Sequence, residues 1–484
     1  MADATSTAGA PAIPGAKPAG RSADWGAKAI LVFALAVLMA IPGVLVFSLV
    51  AERQHRAESV SADVSTLQGG SQQLLGPMLI APYVAPKPPT KDANGVLQPQ
   101  DPDTGWYVVS PDQGTANVVL KTTTLHRSLF NVPVYEAQAE FDAKFSPPPT
   151  SPNLPAGATV NWQAARVVVG FSDLRGAKSE VTGVFTDAAG HSALAFSPTS
   201  GIALGAPADS GGHPAASFGL VAAPAGALTA GQGGNLHVSM RFTGAKRVSV
   251  MPFAKSTVVK IAGDWPGPSF DGAFSPEGRT TGGHAFSVNW SVPFIARGLS
   301  DHGPAEALSL DQLGAKDLGV TLISQIDPYE SVGRALKYAV MFVGLVFLTF
   351  FVFEALSGMR VHPAQYLLVG LAQMVFYMLL LSLSETVGFD LAFAGAATAT
   401  VTLMGFYAGA AFRSRARGVQ ALAIFSVVYG LSYFLMRLDD FALLAGSIAS
   451  FVGLAGAMYL TRNLDWYGGK AEPKGSAGTP VAAA

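Results

Sequence analysis

The sequence predicts a polytopic α-helical membrane protein with six transmembrane helices and a large extracytoplasmic all-β, sandwich-like domain. Three observations lead there. Half of the 484 residues are hydrophobic and only 13% are charged, with a positive mean hydropathy, which is too apolar for an ordinary soluble chain of this length. One apolar stretch near the start and five in the last third have the length a bilayer demands. Between them, residues 51–334 contain no run long enough to cross, and several segments alternate apolar with polar residues.

Residues 1–24 are mainly Ala, Gly, Pro, Ser and Thr, a composition that cannot bury enough apolar surface to order itself, so they read as a disordered cytoplasmic tail. Residues 25–50 read as an anchor helix, bent at Pro42-Gly43. A cleavable signal peptide is the competing reading, but the apolar core is long for one and no A-x-A site follows. "AERQHRAESVSADVSTLQ" lacks Pro and Gly and reads as a short helix leading out of the membrane.

The β pattern is clearest in "YEAQAEFDAKF", where Tyr135, Ala137, Ala139, Phe141, Ala143 and Phe145 alternate with polar residues. Period-two alternation puts all six on one sheet face. The same holds for Leu236, Val238, Met240 and Phe242, and for Phe286, Val288, Trp290 and Val292. Half-buried antiparallel strands are expected, with an irregular insertion over Lys87–Gly105.

The later apolar stretches run over Lys337–Leu356, Gln365–Ser384, Leu391–Phe412, Val419–Met436 and Ala442–Leu460, forming a bundle over 335–461 followed by a cytoplasmic tail, 462–484. Arg360 lies in the first loop between them and Arg413, Arg415 and Arg417 in the third, whereas "ETVGFD" has no basic residue. The positive-inside rule makes the Arg loops cytoplasmic, which puts both chain ends inside and the β domain outside. Arg53 and Arg56, at the outer end of the anchor, run against the rule.

Glu385 and Asp390 then lie in an outer hairpin turn. The other outer connections carry Asp327, Glu330, Arg334 and Lys337, and Arg437, Asp439 and Asp440. One reading pairs Arg334, Lys337 and Arg437 with these acids as a clamp between the β domain and the bundle. The plainer one makes each charge a solvated helix end, worth about 0–1 kcal/mol per pair. Glu354 is the only ionisable residue well inside an apolar stretch, and an intramembrane acid is a functional candidate by default. Its place near the cytoplasmic end also suits capping, with Arg360 or an Arg of "RSRAR" as partner. Gly405 and Gly409, in GxxxG spacing, predict close helix packing, with Ala449, Gly453 and Ala457 a second small face; a homo-oligomer surface is the alternative.

The net charge of −1 and the absence of a basic stripe give no support to nucleic-acid binding. There is no Cys, no His pair at ligand spacing, no HExxH, and no Walker, dinucleotide-binding or GxSxG motif, so neither cofactor nor metal is expected and no catalytic residue can be named.

"YESVGRALKYAVMFVGLVFLTFFVFE", "HPAQYLLVGLAQMVFYMLLLSLSETVGF" and "DDFALLAGSIASFVGLAGAMYLTRNLDWY" resemble the CreD family of bacterial inner-membrane proteins. "LLGPMLIAPY", "FSDLRG" and "DWPGPSFDGAF" carry the resemblance more thinly through the β domain, so that it spans nearly all of Asp24–Tyr467. It implies a large periplasmic domain and a part in envelope integrity and stress response, with no established reaction to carry over. Asp439-Asp440 departs conservatively from the family's Glu-Asp. In "DLRG", Asp173 and Arg175 flank a tight turn and read as a brace, with ligand binding by Arg175 as the alternative.

The expectation is therefore a non-enzymatic envelope protein whose periplasmic domain binds a partner or senses envelope state, with the lipid bilayer and a periplasmic or membrane protein as its partners. A permease using Glu354 is the rival. An envelope-modifying enzyme built on Glu330, Glu385, Asp439 and Asp440 is the third reading.

Overall fold

Every apolar stretch of the sequence is helical. The computed structural model describes residues 25–462 apart from 92–96, 128–129, 150–152, 200–201, 203–217, 227, 229–232, 306–307, 309, 324–327, 358 and 438–441. The chain forms two units, Met1–Gln54 with Ile326–Ala484, and His55–Gln325.

The first unit is helical. Helix α1 (Trp25–Leu38) is followed by α2 (Ala40–Leu67), with Met39 between them. The expected bend thus falls one turn before Pro42, because the proline ring lacks an N–H for the carbonyl of Leu38 and crowds it. The polar segment after the anchor continues α2 rather than starting a separate helix. Then come α3 (Pro328–Lys337), α4 (Ala339–Ser357), α5 (Pro363–Val387), α6 (Phe389–Ala411), α7 (Arg415–Arg437) and α8 (Ala442–Thr461). Among the described residues, five helical segments are long and apolar enough to cross a membrane: the α1–α2 segment, α4, α5, α6 and α7.

Local chemistry sets the helix ends. Pro363 opens α5 behind His362, whose ring accepts from the Ala364 N–H while Gln365 accepts from the His362 N–H. Gly388, at φ +82°, turns α5 into α6. The GxxxG face of α6 packs on α7: a Cβ on Gly405 would lie 3.0 Å from Leu422 Cβ, and one on Gly409 3.4 Å from the Gly418 Cα. Gly453 of α8 faces Leu345 of α4, and the side chain of Ala449 lies outside the described residues.

The second unit is a β sandwich. In strand Phe130–Phe145 the six apolar residues from Tyr135 onward are buried, while Glu136, Gln138, Asp142 and Lys144 are exposed. Gly234–Ala245 and Ala285–Val292 repeat the pattern. These strands belong to an eight-stranded sheet. A ten-stranded sheet is centred on Gln72–Ala85, which pairs with Asp103–Val109, Arg166–Phe171 and Arg247–Val250. The two sheets share one apolar core, in which the Phe171 and Phe242 rings lie 6.0 Å apart. Phe253 lies between Gly76 of one sheet and Gly114 of the other; a Cβ at either would come within 2.5 Å of its ring. A fully buried aromatic of this kind contributes about 1.5–3 kcal/mol.

The three strands read from their alternation pair antiparallel with all their neighbours, as expected, but two other pairs do not. Gln72–Ala85 runs parallel to Arg247–Val250, and Gln113–Arg127 runs parallel to Ser256–Gly263. Parallel neighbours require long crossovers, and alternation reports which faces a strand buries, not the direction of its neighbour. The Lys87–Gly105 insertion contains a short pair, Thr90–Lys91 with Leu97–Gln98, and Asp103 already belongs to the ten-stranded sheet.

Three distant segments meet on Arg247. Its guanidinium donates to both Asp317 oxygens at 2.8 and 2.9 Å, to Asp271 at 2.8 Å and to Ser249 Oγ at 3.0 Å, and Gln73 adds a 2.8 Å bond to Asp317. Burial pushes the Asp317 carboxyl up, but the bonds from Arg247, Ser249 and Gln73 outweigh it and hold the group below the usual carboxylate range. A depressed carboxylate stabilises the fold above its unfolded value, near pH 3.9, and that contribution is lost as pH falls through the folded value. Asp317→Asn should cost about 1.5–3 kcal/mol at pH 7. In denaturant titrations followed by tryptophan fluorescence, its difference from wild type should shrink below pH ~4.

Candidate functional site

Glu354 lies in the last turn of α4, where the negative end of the helix dipole disfavours an acid. It is nevertheless fully buried, and three groups make that tenable. Lys28 of α1 forms an ion pair with Oε1. Tyr366 of α5 donates its hydroxyl to Oε2 at 2.8 Å, and the Val361 N–H donates to Oε1 at 2.8 Å. Lys28 also donates to the Val361 carbonyl at 3.0 Å. One carboxylate thus ties the start of α1 to the α4–α5 turn. An aromatic shell packs beside it: Phe347 and Phe350 lie 5.8 and 6.2 Å from the Tyr366 ring, and Phe350 stacks on Phe425 at 5.9 Å.

Glu385, in the last turn of α5, repeats the arrangement in weaker form. Tyr329 of α3 donates to it at 2.9 Å and Arg53 of α2 lies 4.0 Å away, with the Glu385 side chain 9% exposed. Asp390 differs, because it sits in the first turn of α6, where the dipole favours it. It pairs with Arg437, in the last turn of α7, and accepts from Tyr433 at 3.0 Å. Both members of that pair are about half exposed.

Residues 24–467 match the family described as Inner membrane protein CreD. The chain belongs to the CreD family. It is 27% identical over 446 residues to the Inner membrane protein CreD of Escherichia coli (strain K12), covering 91% of this chain and 93% of that protein. A family of inner-membrane proteins and five membrane-length helices make this CreD relative a multi-pass inner-membrane protein.

Of the remaining candidates, Arg334, Lys337, Asp173 and Arg175 are among the described residues. Arg334 is part-buried and Lys337 exposed, both in the last turn of α3. Asp327, Asp439, Asp440 and the side chain of Glu330 lie outside the described residues. Asp173 caps the turn Leu174–Gly176, accepting from the Arg175 N–H at 2.9 Å and from its guanidinium at 2.6 Å; the guanidinium holds Asp173 below the usual carboxylate range. Gly176 packs on the Thr243 carbonyl and on Gln72, so "DLRG" joins strands of both sheets.

Sequence reasoning expected Glu354 to meet Arg360 or an Arg of "RSRAR"; its cation is Lys28, 326 residues away along the chain. It also passed over Arg297, which is fully buried and bonds to Ser110 Oγ at 2.9 Å. Burial pushes that guanidinium down to about 10, against the opposing pull of Asp301. No spacing signal marks either partnership. Among the described residues no cluster of His, Asp or Glu could hold a metal.

Removing one partner of a buried pair strands the other charge. Lys28→Met should destabilise the helical unit by about 3–5 kcal/mol. Glu354→Gln should cost less, because Lys28 is 20% exposed and can reach polar surroundings. The double variant should recover part of the loss, read as thermal unfolding midpoints of the full chain in detergent.

Proposed function

We propose that this CreD-family protein is a non-enzymatic envelope protein. In this reading six helices, with both chain ends on the cytoplasmic side, hold a periplasmic β sandwich that binds an envelope partner or senses envelope state, in support of envelope integrity. The observation that carries it is the saturation of Glu354. Glu354, deep in the apolar helices, has a cation, a hydroxyl and a backbone N–H, and it lines neither of two grooves along the described part of the bundle. A coupling site for transport needs an acid that exchanges its partners, so the permease reading loses its main residue.

The topology has its own support. Lys28 and Val361 share one end of the helical unit, while Arg53, Tyr329 and Glu385 meet at the other. The β sandwich lies between Arg53 and Tyr329 in the chain, and these two flanking residues are both at the Glu385 end of the helical unit. The loop containing Arg360 belongs with Lys28, as the positive-inside rule requires. Arg53, an exception to that rule, is accounted for by its proximity to Glu385. Helix α8, 20 residues long, supplies the sixth crossing.

Alkaline phosphatase fused after Gly388 should be active, and a green fluorescent protein fused after residue 484 should fluoresce. A cytoplasmic reporter that lights up at Gly388 would overturn the topology. A null strain should become sensitive to envelope-perturbing agents and be restored by the full chain, and crosslinking in intact cells should capture a periplasmic or membrane partner through the sandwich. Restored tolerance that requires a carboxylate at Glu385, at equal protein level, would instead favour an enzyme.

A further inference from the structure

A groove of about 870 Å³ runs along the helical unit between α4, α7 and α8. We propose that it binds one acyl chain of an anionic phospholipid whose phosphate is held by Arg417.

The walls are apolar along most of their length, with Leu345 and Val352 on α4 and Val452 on α8. Gly456 hollows the floor: a Cβ placed there would meet no atom within 4 Å. From Arg417 to Leu431 the groove follows α7 for about 21 Å at 1.5 Å per residue, the reach of an extended acyl chain. Polar character is concentrated at one end, where Arg417 and Gln420 line the groove one turn apart. The Arg417 guanidinium lies 5.7 Å above the Phe353 ring, and Arg413 and Arg415 are exposed beside it.

Charge decides between occupants. None of the lining residues is acidic, so the groove itself does not neutralise Arg417. A second copy of this chain would have to bring an acid to the end of the bundle where Arg417 lies, and among the described residues the acid there, Glu354, is already paired with Lys28. A phospholipid brings its phosphate to an interfacial arginine and its chain to the apolar wall in one molecule.

The test uses the purified full chain in detergent, with native mass spectrometry against dioleoyl phosphatidylglycerol and dioleoyl phosphatidylcholine. The anionic lipid should be retained about fivefold more tightly, the size of one basic contact near a membrane surface. Arg417→Gln should bring it to the level of phosphatidylcholine, and Arg417→Lys should keep most of the preference, which guards against a variant that merely folds poorly. Gly456→Leu, built into open space, should weaken both lipids at an unchanged thermal midpoint. Equal retention of the two lipids by wild type, or a preference that survives Arg417→Gln, would overturn the headgroup assignment. Undiminished binding in Gly456→Leu would overturn the groove. A dimer that Gly456→Leu separates would give the groove to a second copy.

Discussion

A lone carboxylate cannot be held where Glu354 sits: taking an ion of that size out of water costs several kcal/mol even after relaxation. The rest of the helical unit is arranged to meet that demand. Lys28 is brought from α1, Tyr366 from the first turn of α5, and the α4–α5 turn folds so that the Val361 N–H points at the carboxylate. The Val361 carbonyl in turn takes a proton of Lys28, so the turn serves both charges. Packing alone would leave the rotation of α1 loosely specified, since α1 and the start of α2 expose many large apolar side chains. The ion pair fixes it.

Three acids of the helical unit, Glu354, Glu385 and Asp390, differ in their place on the helix dipole. Asp390 lies at a helix N-terminus, where the dipole attracts it, and it stays half exposed beside Arg437 and Tyr433 of the neighbouring helix. Glu354 and Glu385 lie at C-termini, where the dipole repels them, and each receives a tyrosine hydroxyl in addition to a nearby cation. The more deeply buried of the two has the closer cation. All three thus have a tyrosine hydroxyl and a basic side chain nearby, and the two at helix C-termini are the more buried.

These partnerships also mark how far the residues could be read before folding. Helix positions were legible because bilayer length and missing charge are local properties, and the strand faces at Tyr135–Phe145 were legible because alternation is local too. The GxxxG face at Gly405 and Gly409 packed as its spacing implies. Partners were not legible. Lys28 reads as an ordinary flanking charge, Arg53 as an exception to a rule, and Arg247 as a surface residue in "GAKRVSV", because their counter-charges arrive from segments that only tertiary structure brings near. The parallel strand pairs were hidden for the same reason. Arg297 is the extreme case: a residue type that is almost never buried alone lies fully buried on a serine hydroxyl, with Asp301 supplying the opposing charge.

A fully partnered buried acid and an arginine at the end of a groove whose described lining holds no acid underlie the two proposals for the bundle. A transport site must pass through states in which its charge loses one set of partners and gains another, and each such state at Glu354 would expose a carboxylate to an aromatic shell with nothing to offer it. In the proposed reading the helices hold one geometry and do not cycle between two. A scaffold of that kind still has to hold a fixed position in lipid, and contacts that read headgroup charge at one end and chain length along the wall would supply it. The sandwich has an apolar core of its own, shared by its two sheets.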